Sequence, residues 1–453
     1  MTALAYRSAQ GPVHSSQASA GQAAQKKRGL VTWLALAAVA VTIATSGVVF
    51  SEPAPVDALT MGLLVLLPTI GLVSFNRGIL ALGALWLVAG AGALVAATFS
   101  YTPQPTIIHV AVTLYLYAAC IVIAAFVAYS PRAHATLILN AWTVAAIIAA
   151  AAALIGYFGL LPGANELFTR YDRAAGTFKD PNVLGPFLIV PIVYLLSVAL
   201  ERPFRGMIIP LGVAGFLMLA VFLSFSRGAW INLVVSLAIF GYLALATSDK
   251  AIVRLKIVAL LALGAIMAAG VVIAALSNDQ VRELVAQRAT LDQSYDTGAE
   301  GRFGGQAKAV DLILEHPLGI GAQEFTSRYH HEEVHNVYLT LMLSAGWLGG
   351  SMYWIVVAVT LVFGFRHALK ERQLRLLYLA VYASFTATAF EGIIIDSDHW
   401  RHFYVLMALI WGMMTASAAQ QSRSAPRAPH MVRPPHPVAA RRGRQIAPAF
   451  GAA

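Results

Sequence analysis

Two arginines and a histidine stand at places in this chain where residue type and context favour phosphate binding and proton transfer. Arg227 lies in LSFSRGAWINL, between two apolar stretches. A cation beside hydrocarbon is costly unless it snorkels to water or holds an anion, and a guanidinium fork matches phosphate oxygens. Arg302 opens GRFGGQAKAVDLILEHPLG. Alone it reads as readily as a solvated loop arginine; at a helix N-terminus, backbone N–H groups and the guanidinium can share one phosphate. His335, in HHEEVHNVYLTLMLSAGWLGG, is a candidate general base, because a neutral imidazole takes a proton from a hydroxyl near pH 7. A structural histidine fits the same phrase. So does a zinc reading, since His331, Glu332 and His335 match H-E-x-x-H, but no third ligand is evident downstream and no metal is assigned.

Around these stand polar candidates for substrate contact. Arg170, Arg173, Lys179 and Asn182 make a short segment polar and mixed in charge, a composition that suits sugar hydroxyls and also any solvated loop. Asn336 either orients substrate or caps the helix that follows. Glu391, Asp396, Asp398, His399 and Arg401 cluster near the last turn, where they pair with arginines or shape an acceptor entrance. Cys120, the single cysteine, falls in an apolar run and reads as packing.

The elements that must position these residues are apolar helices. The chain is 58% hydrophobic and 11% charged, far from a soluble domain. Apolar stretches near 30–50, 56–74, 79–98, 107–129, 134–157, 183–200, 206–224, 229–246, 252–276, 334–364, 374–394 and 402–419 are continuous rather than alternating, which favours helices over a barrel. The expectation is an all-α polytopic membrane bundle of about 12 transmembrane helices. A large outer loop over 277–333, between the ninth and tenth helices, completes it. A domain over 30–419 would lie between a disordered tail at 1–29 and a disordered basic tail at 420–453.

Charge orients the bundle. Lys26, Lys27, Arg28, Arg77, Arg132, Arg202, Arg205, Lys250, Arg254, Lys256, Arg366, Lys370, Arg372 and Arg375 fall on one side of it, so both termini are expected in the cytoplasm. The three reactive candidates then face outward. The net charge of +10 is carried largely by these flanks and the tail, where it meets membrane lipid headgroups and gives no reason to expect nucleic acid.

The phrases RYDRAAGTFKDPNVLGPFL at 170–188, FSRGAW at 225–230, GRFGGQAKAVDLILEHPLGIGAQEF at 301–325 and HNVYLTLMLSAGWLGG at 335–350 together resemble the O-antigen ligase and Wzy-polymerase superfamily of bacterial envelope glycosyltransferases. The resemblance covers roughly residues 60–415. It implies a metal-independent and cofactor-independent transfer of glycan from undecaprenyl diphosphate at the periplasmic face of the inner membrane, which makes the outer loop over 277–333 periplasmic. Arg227 and Arg302 match the family's arginines and His335 its acceptor-activating histidine. The acceptor would be lipid A core for a ligase, the preferred reading on the order of these residues around one dominant loop. For a Wzy-type polymerase it would be another lipid-linked glycan. A secondary transporter is the alternative from another class, although no internal repeat is evident.

Overall fold

A computed structural model describes residues 14–277, 298 and 301–424. The tail readings for 1–13 and 425–453, and the part of the 277–333 loop at 278–297, 299 and 300, lie outside the described residues. The helices, in chain order, are α1 (His14–Thr45), α2 (Pro55–Thr69), α3 (Arg77–Ala97), α4 (Pro103–Tyr129), α5 (Pro131–Tyr157) and α6 (Ala164–Phe168). After a two-residue hairpin of β1 (Thr169–Arg170) and β2 (Arg173–Ala174) come α7 (Pro181–Glu201), α8 (Phe204–Leu223), α9 (Arg227–Thr247), α10 (Ala251–Leu276) and α11 (Arg302–Glu315). The last are α12 (Glu324–Arg328), α13 (Val337–Lys370), α14 (Arg375–Glu391) and α15 (Arg401–Ser424).

The all-α bundle is present, but the expected count of about 12 transmembrane helices is not. Seven helices among the described residues are long and apolar enough to cross a membrane: α3, α4, α5, α7, α8, α9 and α13. Three of the expected spans fold as apolar helices of 17 residues or fewer, because composition ignores where a helix is capped. The 30–50 stretch gives an apolar helix only over Gly29–Thr45, and 56–74 gives Pro55–Thr69. The 374–394 stretch ends as a 17-residue helix at Glu391, about 25 Å long against a hydrocarbon core of about 30 Å. The 252–276 and 402–419 stretches form α10 and α15, which are not among the seven. The chain is a polytopic membrane protein. Its outer surface is apolar, with Leu87, Val65, Ile208 and Ile209 each at least 70% exposed, as lipid contact requires.

Inside, α3 and α13 approach backbone to backbone at Gly92 and Gly349, where a side chain on either would collide with the other helix. Trp86 stacks on Tyr117 at 4.1 Å, and Tyr353 and Tyr404 close the same aromatic cluster. α13 is broken. Gly346 has φ 65° and ψ −176°, a conformation open essentially to glycine alone. The turn after α11 fills the break: Trp347 N–H donates to the Pro317 carbonyl at 2.9 Å and Ile320 N–H to the Leu343 carbonyl at 2.8 Å. Trp347 Nε1 also donates to the Ile313 carbonyl at 2.8 Å. Backbone groups freed by the break are thus satisfied by the inserted turn, as non-helical backbone within a membrane bundle must be.

Hydrogen bonds sort the connections onto two ends. At one end, Val49 pairs with Phe178, Arg401 with Glu52 and Asp57, and Arg173 with the Ser224 carbonyl. At the other, Arg132 meets the Gln373 carbonyl, Lys256 the Arg202 carbonyl and Arg375 the Thr247 carbonyl. Arg132, Arg202, Lys256 and Arg375 therefore gather at the end opposite the connections that carry the reactive candidates.

Candidate active site

The turn between α14 and α15, residues 392–400, organises the site. His335, immediately before α13, has φ 52°, a left-handed backbone that an ordinary residue adopts only when held there. It is held by Asp396: Oδ2 accepts from the His335 N–H at 2.8 Å and Oδ1 from the Asn336 N–H at 3.2 Å. Thr340 Oγ1 donates to the same Oδ1 at 2.5 Å, and Val337 N–H donates to the Gly392 carbonyl at 2.9 Å. Asn336 Oδ1 accepts from Tyr338 N–H and Leu339 N–H, so Asn336 caps α13.

Both arginine-bearing helices pack on this assembly. α11 begins at Arg302; one turn on, Gln306 Nε2 donates to the Val334 carbonyl at 3.3 Å, and Gly305 fits closely against the ring of His330. Lys308 reaches the Tyr329 carbonyl. The segment leading into His335 is thus fixed against the first turns of α11. α9 begins at Arg227, with Ser226 as its cap. A Cβ at Gly228 would stand 2.8 Å from Glu391 Oε1, so glycine permits close approach to the end of α14. Asn232 Nδ2 donates to Glu391 Oε2 at 2.6 Å. The start of α9 and the His335 backbone are therefore fastened to two ends of one short segment, Glu391 and Asp396.

Beside it opens a cavity of about 480 Å³. Glu333, Val334, Thr340 and Asp396, which flank His335 in sequence or in space, line one wall; Arg170 and Lys179 line another. The segment between α11 and α13 contributes Gln323, Phe325 and Thr326. It is tethered by buried Glu324, whose Oε1 accepts from Ser100 Oγ at 2.6 Å, Thr102 N–H at 2.7 Å and Thr102 Oγ1 at 2.7 Å. Burial would raise this carboxyl, but these donors outweigh it and hold it below the ordinary glutamate range.

The expected substrate residues divide. Arg170 and Lys179 line the cavity. Arg173 is buried, donating from Nε to the Ser224 carbonyl and from its terminal nitrogen to Asn182 Oδ1, both at 2.7 Å. That pair fixes the corner ahead of Arg227. His335, Arg227, Arg302, Arg173, Asn182 and Asn336 stand outside the lining.

One element of the site was not singled out from sequence: His109 in α4. Its Nε2 lies 3.3 Å from Asp398 Oδ2, its ring stacks on His399 at 4.0 Å, and all three line the cavity. Nothing in the local sequence marks it, since its partners are more than 280 positions away. The neighbouring carboxyls are pushed in opposite directions. Burial and the Asp398 charge raise Asp396 to about 7. Burial would raise Asp398 too, but His399 and His109 beside it hold it well below the usual range. His399 is lowered by burial to about 4 against the pull of Asp398. Two carboxyls driven apart in this way can divide proton-holding and charge-holding roles. Among the described residues, two groupings, His109–Asp398–His399 and Glu333–His335–Asp396, bring possible ligand atoms within 4.8 Å of one another, so either has donors of a kind that bind a divalent ion.

No curated protein matches the chain. The family model Wzy_C, described as O-antigen ligase, matches residues 212–354, the interval that carries Arg227, Arg302 and His335.

Proposed function

We propose that the protein is a glycosyltransferase that moves a glycan from undecaprenyl diphosphate to a hydroxyl of lipid A core at the periplasmic face of the bacterial inner membrane, with both termini in the cytoplasm. The observation that carries this reading is that the elements bearing Arg227, Arg302 and His335 pack on neighbouring segments of the bundle. α9 packs on Glu391, the His335 turn hangs from Asp396, and α11 packs on the segment leading into His335. The match to a model described as O-antigen ligase over the same interval supports it.

In this mechanism the two guanidinium groups bind the diphosphate and offset the charge that grows on it as the bond from the sugar C1 to the phosphate oxygen breaks. His335 takes the proton of the acceptor hydroxyl as its oxygen bonds to C1. Attack opposite the leaving group inverts the anomeric centre and releases undecaprenyl diphosphate. Arg170 and Lys179 meet the anionic head or its sugars across the cavity, while the prenyl chain stays in lipid.

The test is reconstitution of purified protein with an undecaprenyl-diphosphate-linked glycan, with and without lipid A core. Glycan on lipid A core is the expected product. A ladder still attached to undecaprenyl diphosphate would make the protein a polymerase, and an unaltered glycan carried across the bilayer would make it a transporter.

A further inference from the structure

At the end of the bundle opposite the candidate active site, α5, α7 and α8 enclose an open groove of about 840 Å³. Its mouth holds Arg132 and Arg202, both exposed, with the ammonium of Lys256 donating to the Arg202 carbonyl at 2.6 Å. Glu201 is the acidic residue there, so the mouth is net positive. Deeper, α5 presents Thr136, Asn140 and Thr143 to the groove, a spacing that puts three polar residues on one helix face. The walls beside them are apolar, with Ile147, Val198, Ile209 and Val213.

Asn140 is the informative member. It is exposed on a membrane-spanning helix, eight residues beyond Arg132, or about 12 Å along the axis. If Arg132 marks the headgroup level, Asn140 lies below an interfacial layer of about 7 Å. Its Oδ1 accepts from the Tyr194 hydroxyl at 2.8 Å. Among the described residues its amide nitrogen donates to no acceptor, and an amide donor facing hydrocarbon unsatisfied is costly. The occupant must therefore carry negative charge at the mouth, hydrogen-bond acceptors below it and apolar chains beyond.

We propose that this groove is a binding site for an anionic diacyl phospholipid, drawn in so that its phosphate lies between Arg132 and Arg202 and its ester carbonyls reach Thr136 and Asn140. The acyl chains run along Ile147, Val198 and Val213. A zwitterionic lipid fills the same walls but brings a cation to a positive mouth, so the site discriminates by charge. The site does not depend on the transfer reaction proposed above.

Native mass spectrometry of the detergent-purified protein, offered equal amounts of phosphatidylglycerol and phosphatidylcholine of matched chain length, tests this. One phosphatidylglycerol retained in preference by roughly tenfold is expected. Arg132→Gln with Arg202→Gln, both at exposed positions, removes the preference, and Asn140→Leu weakens retention of both lipids. Equal retention by the wild type, or an unchanged preference in the double variant, would overturn the proposal. So would preferential filling by a polyprenyl phosphate, or a dimer that covers the groove and leaves no lipid bound.

Discussion

Asp396 holds His335 by its backbone: one carboxylate oxygen accepts the His335 N–H at 2.8 Å while the histidine sits at φ 52°. A left-handed residue without a glycine's freedom costs on the order of 1 kcal/mol or more, and the carboxylate offsets it with hydrogen bonds to the backbone of His335 and Asn336 and to Thr340. Asp396 is thus a positioning residue for the proposed base.

Asp396→Asn replaces one accepting oxygen with a donor that opposes a backbone N–H. The expected result is a fall in kcat of about 100-fold, the scale of a reacting group displaced by about 1 Å, with protein level in the membrane unchanged. Thr340→Val removes one of the donors and is expected to cost less than about tenfold. Equal losses in the two variants, or a change confined to KM, would count against positioning.

His335→Ala is expected to abolish transfer in the reconstituted assay while donor binding persists. Arg227→Lys and Arg302→Lys keep the charge but lose the fork, so a partial loss is expected, seen in donor affinity and kcat together. Wild-type turnover by His335→Ala would remove the proposed base.

Removing metal separates the two chemical uses of the buried histidines and carboxylates. The transfer mechanism above uses no ion, so full activity is expected after extensive dialysis against EDTA. Activity lost to EDTA and restored by a divalent ion would place a cation at His109–Asp398–His399 or at Glu333–His335–Asp396. His109→Ala then distinguishes these, since it removes a ligand from the first only.

Burial makes stability depend on pH. Asp396 releases its proton near 7 in the native protein and near 4 when unfolded, by the ordinary aspartate value of about 3.9. Between those values the native state holds more protons than the unfolded state, so this residue's contribution is full below about pH 4 and is lost as pH rises towards 7. The melting midpoint in detergent is expected to fall across that window, with a shallower fall in Asp396→Asn. A midpoint that rises with pH for the wild type and not for the variant would contradict the assignment.

Gly346→Ala tests the fastening of the turn after α11. Its φ of 65° and the Leu318 carbonyl carbon, 2.6 Å from where a Cβ would stand, leave no room for a methyl group. A destabilisation on the order of 3 kcal/mol is expected, read as a lower melting midpoint and as faster proteolysis at 316–321. An unchanged midpoint would mean that the inserted turn does not hold α13.

The sequence by itself determined that this chain is a helical membrane protein, because its apolar runs are continuous and a barrel strand would alternate. It also offered Arg227, between two apolar stretches, Arg302, at the start of a loop helix, and His335, ahead of the next apolar run, as candidates. It overstated the number of crossings, since apolar runs do not reveal where a helix begins and ends: the apolar helices closing at Thr45, Thr69 and Glu391 are too short to be counted. Only the tertiary structure decided that α9 and the His335 backbone meet the Glu391–Asp396 segment, that Arg173 and Asn182 hold a corner instead of lining the cavity, and that His109 meets Asp398 across the bundle. The physical reason is range. Apolar patterning and caps are written within a few turns of chain, whereas contacts such as His335 with Asp396 and His109 with Asp398, 61 and 289 positions apart, exist only after the helices have packed.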